Sequence, residues 1–168
     1  SNTLGTRPDL REIVRKAHAA GAAVTVDGCQ GAVHGGADVK GLDCDFYAFS
    51  GHKLYGPTGI GVLYGKRELL DAMPPFLCGG DMVDRVSFEK TTYAPLPLKF
   101  EAGTANFIGA VGLGEAVRYV ESLDREAVER YERELTSYAE ERLSRVDGLE
   151  IYGRTADKCS IVSFNVGG

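Results

Sequence analysis

The chain has 168 residues, 43% of them hydrophobic, which suits one domain or a domain and a fraction around a real core. Its 19 Lys and Arg against 24 Asp and Glu give a net charge of −5 with no long run of one sign, so nucleic acid and anionic membranes are not expected partners. No apolar stretch approaches the roughly 20 residues of a membrane helix, and the N-terminus lacks the basic-then-apolar pattern of a signal peptide, so the expected location is cytoplasmic.

Leu10, Ile13, Val14 and Ala17 recur at helical spacing between Pro8 and Gly21, which predicts an amphipathic helix over residues 8–20. The β-prone run 22–26 then stops at Asp27-Gly28. Helix followed by strand is one step of a parallel α/β sheet, with an acidic residue at the strand's carboxyl end. Residues 46–49 read as a second buried strand, running into Ser50-Gly51-His52-Lys53. After the turn Gly56-Pro57-Thr58-Gly59, residues 60–64 read as a third strand, and a link too short for a helical crossover predicts an antiparallel neighbour.

Residues 74–106, richer in Pro, Gly and polar side chains, read as a long functional loop instead of a regular element. Helices are predicted over about residues 109–123 and 126–146, the second carrying an apolar stripe from Val128 through Tyr131, Leu135, Tyr138, Ala139 and Leu143 to Val146. Residues 149–152 and 161–166 read as two strands of a new unit, whose pattern runs up to Gly167-Gly168. Cys29, Cys44, Cys78 and Cys159 form no C-x-x-C pair and have no His at zinc-finger spacing, so reduced thiols are expected rather than a zinc site or disulfides. Glycine, at 22 residues, is nearly twice its average share, a sign of backbone that turns tightly or approaches a ligand closely.

Three polar clusters terminate or follow strands: Asn2, Asp27 with Gln30, and Ser50 with His52 and Lys53. Ligands of open α/β sheets bind beyond the carboxyl ends of the strands, which groups these clusters around one expected crevice. A lysine flanked by a hydroxyl, an imidazole and glycines suits a phosphorylated aldehyde cofactor, since the amine forms a Schiff base while its neighbours hold the phosphate. An Asp at the adjoining strand end suits a pyridinium nitrogen, whose proton makes the ring an electron sink. Taken singly, the same residues also read as a solvated charge and an Asp-Gly turn.

Val26-Asp27-Gly28-Cys29-Gln30 and the run from Asp43 to Gly61, above all Ser50-Gly51-His52-Lys53-Leu54-Tyr55-Gly56-Pro57-Thr58-Gly59-Ile60-Gly61, resemble the cofactor region of the class V aminotransferase superfamily. More narrowly they resemble the SUF-type (group II) cysteine desulfurases and the selenocysteine lyases. The resemblance continues through Ser1-Asn2-Thr3-Leu4-Gly5-Thr6 and Phe100-Glu101-Ala102-Gly103-Thr104-Ala105-Asn106, and so covers essentially the whole chain. It implies an α/β fold: residues 1–123 as the second half of a fold-type I large domain, mostly parallel sheet flanked by helices, and residues 124–168 as the start of a small C-terminal α+β domain.

The resemblance also implies roles. Lys53 would carry pyridoxal 5′-phosphate as a Schiff base and shuttle a proton. Asp27 would face the pyridine nitrogen, Gln30 and Asn2 the ring hydroxyl, and Ser50 and His52 the phosphate. Gly103 and Thr104 would reach the phosphate of a neighbouring subunit, implying a homodimer with shared sites. The implied reaction converts L-cysteine to L-alanine and passes sulfur, as an enzyme persulfide, to an acceptor protein for iron–sulfur cluster assembly. Selenocysteine lyase and other class V chemistry would use the same cofactor residues, and a non-catalytic assembly module is the alternative from another class. Singly, His52 also reads as a packing residue, Asn2 as a frayed terminus and Thr104 as a helix N-cap.

The family's nucleophilic cysteine and substrate-binding arginine belong to sequence after Gly168, and its ring-stacking histidine to sequence before Ser1. None of the four cysteines matches the nucleophile: Cys29 occupies a motif position where a small residue suffices, and Cys78 lies in the loop Phe76-Leu77-Cys78-Gly79-Gly80. The expectation is therefore an internal portion of a desulfurase, inactive by itself.

Overall fold

The computed structural model describes residues 1–167; Gly168, the end of the C-terminal pattern, lies outside them. Asp9 starts the first helix, α1 (Leu10–Ala19), by accepting the Glu12 amide at 3.0 Å, which satisfies one of the donors a helix start leaves unpaired. Pro8 therefore precedes the cap instead of occupying the first turn. Val14 is the residue α1 buries, at 2% exposure.

The central sheet has the order β1 (Thr25–Asp27), β2 (Phe46–Ser50), β3 (Gly61–Gly65). β1 and β2 are parallel, with Thr25 opposite Phe46 and Asp27 opposite Ala48. β3 returns antiparallel, with Ser50 opposite Gly61 and Phe46 opposite Gly65, as the short link requires. The crossover from β1 to β2 uses two short helices that the periodicity did not show, α2 (Gly31–His34) and α3 (Val39–Leu42).

The predicted strand 22–26 is corrected to one beginning at Thr25 and including Asp27. The Val24 amide donates to the Asp45 carboxylate at 2.7 Å instead of to a strand, and alanines at positions 22 and 23 have little preference for a ladder. Val14, Val26, Ala32, Cys44 and Tyr47 form the core, with Leu10, Val24, Leu42, Phe49 and Tyr64 packed around it. Tyr47 imposes a glycine at position 28, where a Cβ would fall 2.0 Å from its ring.

At the amino edge of this sheet, Asp45 is 6% exposed yet charged. His18 Nε2 lies 2.8 Å and Lys66 Nζ 3.1 Å from its two oxygens, and Lys66 also reaches Asp43 at 2.7 Å. Burial pushes the Asp45 carboxyl up, but hydrogen bonds from His18, the Val24 amide and Lys66 outweigh it and bring its pKa down to about 2. One buried carboxylate thus ties α1, β1, β2 and the end of β3 together.

The expectation of an irregular loop over residues 74–106 is also corrected. After α4 (Arg67–Ala72) the segment folds into an antiparallel hairpin, β4 (Val83–Val86) and β5 (Thr91–Tyr93), then a 3₁₀ turn at Leu98–Phe100. The hairpin turn is organised by Ser87, whose Oγ accepts the amides of Glu89 and Lys90 at 3.2 and 3.1 Å. Gly and Pro on either side masked two strands too short to show alternation.

The long helices are α5 (Phe107–Ser122) and α6 (Arg125–Leu143), the latter capped by Asp124, which accepts the Ala127 amide at 3.1 Å. α6 ends at Leu143, three residues short of the predicted end, and its apolar stripe is uncovered: Val128, Tyr131, Leu135 and Tyr138 face solvent, as does Val146 beyond the helix. β6 (Leu149–Tyr152) and β7 (Ser163–Val166) pair antiparallel, β7 starting two residues later than predicted. The N-terminal segment packs against this unit, with the Cys159 amide donating to Gly5 O at 2.9 Å and a bridge joining Thr6 to Lys158.

Candidate functional site

Parallel pairing of β1 and β2 sets their carboxyl ends side by side, Asp27 closing one and Ser50 the other. A 3₁₀ turn, Gly51–Leu54, follows at once and carries His52 and Lys53. Leu54 is buried and anchors the turn, His52 is exposed and Lys53 half-buried. The segment closes on itself: the Gly51 amide donates to Ile60 O at 2.8 Å, and the Gly56 amide donates to Gly51 O at 3.0 Å. Leu113 of α5 fills the space left by two missing side chains, lying 3.3 Å from where a Cβ on Gly51 would be and 3.0 Å from one on Gly56. The lysine is thus presented by a turn fixed from both sides.

Asp27 accepts the Cys29 amide at 3.1 Å. That bond and the Cys29 thiol hold its carboxyl below the usual carboxylate range; some loss of hydration opposes them, and the nearby Lys53 ammonium adds to the lowering. Asp27 therefore carries its charge at neutral pH and suits a protonated ring nitrogen. Cys29 Sγ lies 3.6 Å from Ser50 Oγ, so Asp27, Cys29 and Ser50 are contiguous. Gln30, half-buried, stands at the start of α2 without capping it through its side chain. A cavity of about 710 Å³ opens beside β1 and is lined by Asp27, Gly28 and Gln30 together with Arg7, His34 and Tyr47. Ser50, His52 and Lys53 are not in its wall, so this cavity meets the lysine cluster only through Asp27 and Gln30.

Five of the eight residues singled out from the sequence, Asp27, Gln30, Ser50, His52 and Lys53, therefore share one strand-end region. Asn2 sits exposed in an N-terminal turn, and among the described residues no hydrogen bond joins it to Asp27 or Gln30. Its neighbours Ser1 and Thr6 line the cavity beside β1. Gly103, in the left-handed region at φ 79°, donates its amide to Gly80 O at 2.9 Å and leaves Thr104 exposed. Thr104 does not cap α5. Asn106 does, its Oδ1 accepting the Gly109 amide at 2.9 Å. The helix predicted from about residue 109 thus begins at Phe107, and an Asn directly before an apolar run is the signal that could have found its cap. Cys78 is exposed, whereas Cys44 and Cys159 are buried.

A lysine and an ionised carboxylate at adjoining strand ends of an α/β sheet define a class of site built for amine chemistry on a bound ring. The aminotransferase class-V family model matches residues 1–168, and the chain belongs to that family. The cysteine desulfurase of Enterobacter sp. (strain 638) is 52% identical over 168 residues, 99% of this chain and 41% of that protein. The cysteine desulfurase of Synechococcus elongatus is 51% identical over 164 residues, 98% of this chain and 26% of that one. Among solved structures, the cysteine desulfurase CsdA of Escherichia coli, in an S-sulfonic acid form, matches with a TM-score of 0.94 at 50% identity, covering 100% of this chain and 42% of its own. The apo cysteine desulfurase of Thermococcus onnurineus NA1 matches at 0.93 and 40% identity, with the same coverage. The chain spans less than half the length of these relatives, and its fold is the fold-type I α/β architecture the resemblance implied.

Proposed function

We propose that this chain is the lysine-bearing portion of a pyridoxal 5′-phosphate-dependent cysteine desulfurase that takes sulfur from L-cysteine and leaves L-alanine. One observation carries the reading: Lys53 rises from a self-closed turn at the carboxyl end of β2, next to an Asp27 carboxylate held ionised at the end of β1. The donor set fits the cofactor, with a carboxylate for a cationic ring nitrogen, a hydroxyl and an imidazole for a phosphate, and a lysine amine for the aldehyde. When bound, pyridoxal phosphate supplies the electron sink for bonds to the carbon that bears the substrate amine.

Asp27 keeps the ring nitrogen protonated, Ser50 and His52 bind the phosphate, and Gln30 and Asn2 take the ring hydroxyl. Lys53 holds the cofactor at rest and moves a proton at its Nζ during turnover. Gly103 and Thr104 serve the phosphate of a second copy, in a homodimer whose interface includes the exposed apolar start of α5, Phe107, Ile108 and Val111. Residues 1–123 form the cofactor unit and residues 124–168 begin the smaller one, with the Asp124 cap at the junction. In the cytoplasm a sulfur-acceptor protein takes the persulfide toward iron–sulfur clusters, as in a SUF-type system.

The test is product analysis with the intact enzyme and its Lys53→Ala variant. L-Cysteine should yield alanine in proportion to sulfur released, and the variant should lose at least about 10²-fold in rate. A preference for selenocysteine that leaves cysteine almost untouched would reassign the enzyme to the lyases. Retained turnover in the variant would remove Lys53 from the chemistry.

A further inference from the structure

We infer that Asn106 is a positioning residue for Lys53, acting through the carbonyl of Gly59; the inference rests on the role proposed for Lys53. The Asn106 side chain is used at both ends. Its Oδ1 accepts the Gly109 amide at 2.9 Å, capping α5, and its Nδ2 donates to Gly59 O at 3.2 Å, across 47 residues of sequence. Gly59 immediately precedes Ile60, whose carbonyl closes the lysine segment onto Gly51. The bond from Asn106 therefore pins the exit of the closed segment 51–60 to the start of a 16-residue helix. Among the described residues, it is the one side-chain hydrogen bond that another element makes to that segment.

The packing is cut to admit this contact. A Cβ on buried Gly109 would lie 2.5 Å from Asn106 Nδ2, and one on Gly112 would lie 3.2 Å from the Pro57 ring. The first turns of α5 thus present a glycine face to the lysine segment, and the amide of Asn106 crosses the gap. Asn106 also follows Thr104 by two residues, so the same side chain ties the Gly103-Thr104 strip to the lysine segment. A residue that merely capped α5 would need only an acceptor oxygen. The donor half of the amide is the part that reaches the site.

That division supplies the test. Asn106→Asp keeps the capping oxygen and removes the donor. Asn106→Ser keeps a capping oxygen on a side chain too short to span to Gly59, and Asn106→Ala removes both functions. Hydrogen exchange without cofactor should show the Gly51 and Gly56 amides opening about 5-fold more often in the Asp and Ser variants, the worth of one neutral hydrogen bond, with the amides of α5 unchanged. In the intact enzyme the same two variants should bind pyridoxal 5′-phosphate about 5-fold more weakly and move the pH midpoint of the Lys53-dependent visible band, while Tm stays near wild type. Only the Ala variant should also lose Tm. Wild-type exchange, affinity and pH midpoint in both the Asp and Ser variants would overturn the inference and leave Lys53's own role intact. An intact enzyme with no Lys53-dependent band would overturn the role of Lys53, and the inference with it.

Discussion

The strand-end placement of Asp27 and Lys53 could be read from the sequence because an apolar run stops just before each, whereas the roles given to them came from the resemblance, since singly they also read as a turn and a solvated charge. Their distance in sequence is small enough for one helical crossover to join them. Asn106 could not be read as a partner of Gly59, since its cap is local whereas its second bond depends on how α5 docks on the lysine segment. At this scale the account makes two predictions. Asp27→Asn removes the charge that holds a proton on the ring nitrogen, so turnover should fall about 10²-fold or more while Tm changes little, Asp27 being exposed. Gly28→Ala should act the other way round, through folding: its Cβ meets the Tyr47 ring at 2.0 Å, which should cost about 2 kcal/mol and lower Tm by several degrees.

Among the elements, the long helices were legible from apolar periodicity, the central strands from short β-prone runs, and the antiparallel return of β3 from the shortness of its link. What was hidden lay in short pieces. β1 starts late because the Asp45 carboxylate takes the Val24 amide, a tertiary bond that no local pattern contains. Asp45, at the opposite end of β2 from Lys53, holds the strands in the register on which the site depends. Asp45→Asn should destabilise the fold by about 3 kcal/mol at neutral pH, since it strips a buried network of the charge that pairs with Lys66. The folded carboxyl is depressed to about 2, so the stability it contributes is complete above its unfolded pKa and is lost as pH falls through about 2. Denaturation curves of wild type and variant should therefore differ in full above about pH 4 and converge below it.

For the whole molecule, composition and charge made nucleic acid and anionic membranes unexpected partners and pointed to no particular surface. Two apolar side chains stand out on the surface: Ile108 at the start of α5 is 76% exposed, and Phe88 at the hairpin turn is fully exposed. Ile108, four residues after Thr104 on a rigid helix, fits the two-fold contact proposed between copies. If that proposed contact forms, Ile108→Asp should shift sedimentation toward monomer and weaken cofactor binding together, whereas Tyr131→Asp on the stripe of α6 should leave sedimentation unchanged. The central claim, that Lys53 carries the cofactor, is tested most directly by adding pyridoxal 5′-phosphate, fixing the linkage with borohydride and locating the added mass by peptide mass spectrometry. The account predicts the pyridoxyl group on Lys53 alone. Its appearance on Lys66 or Lys99 instead, or on no lysine at all, would contradict it.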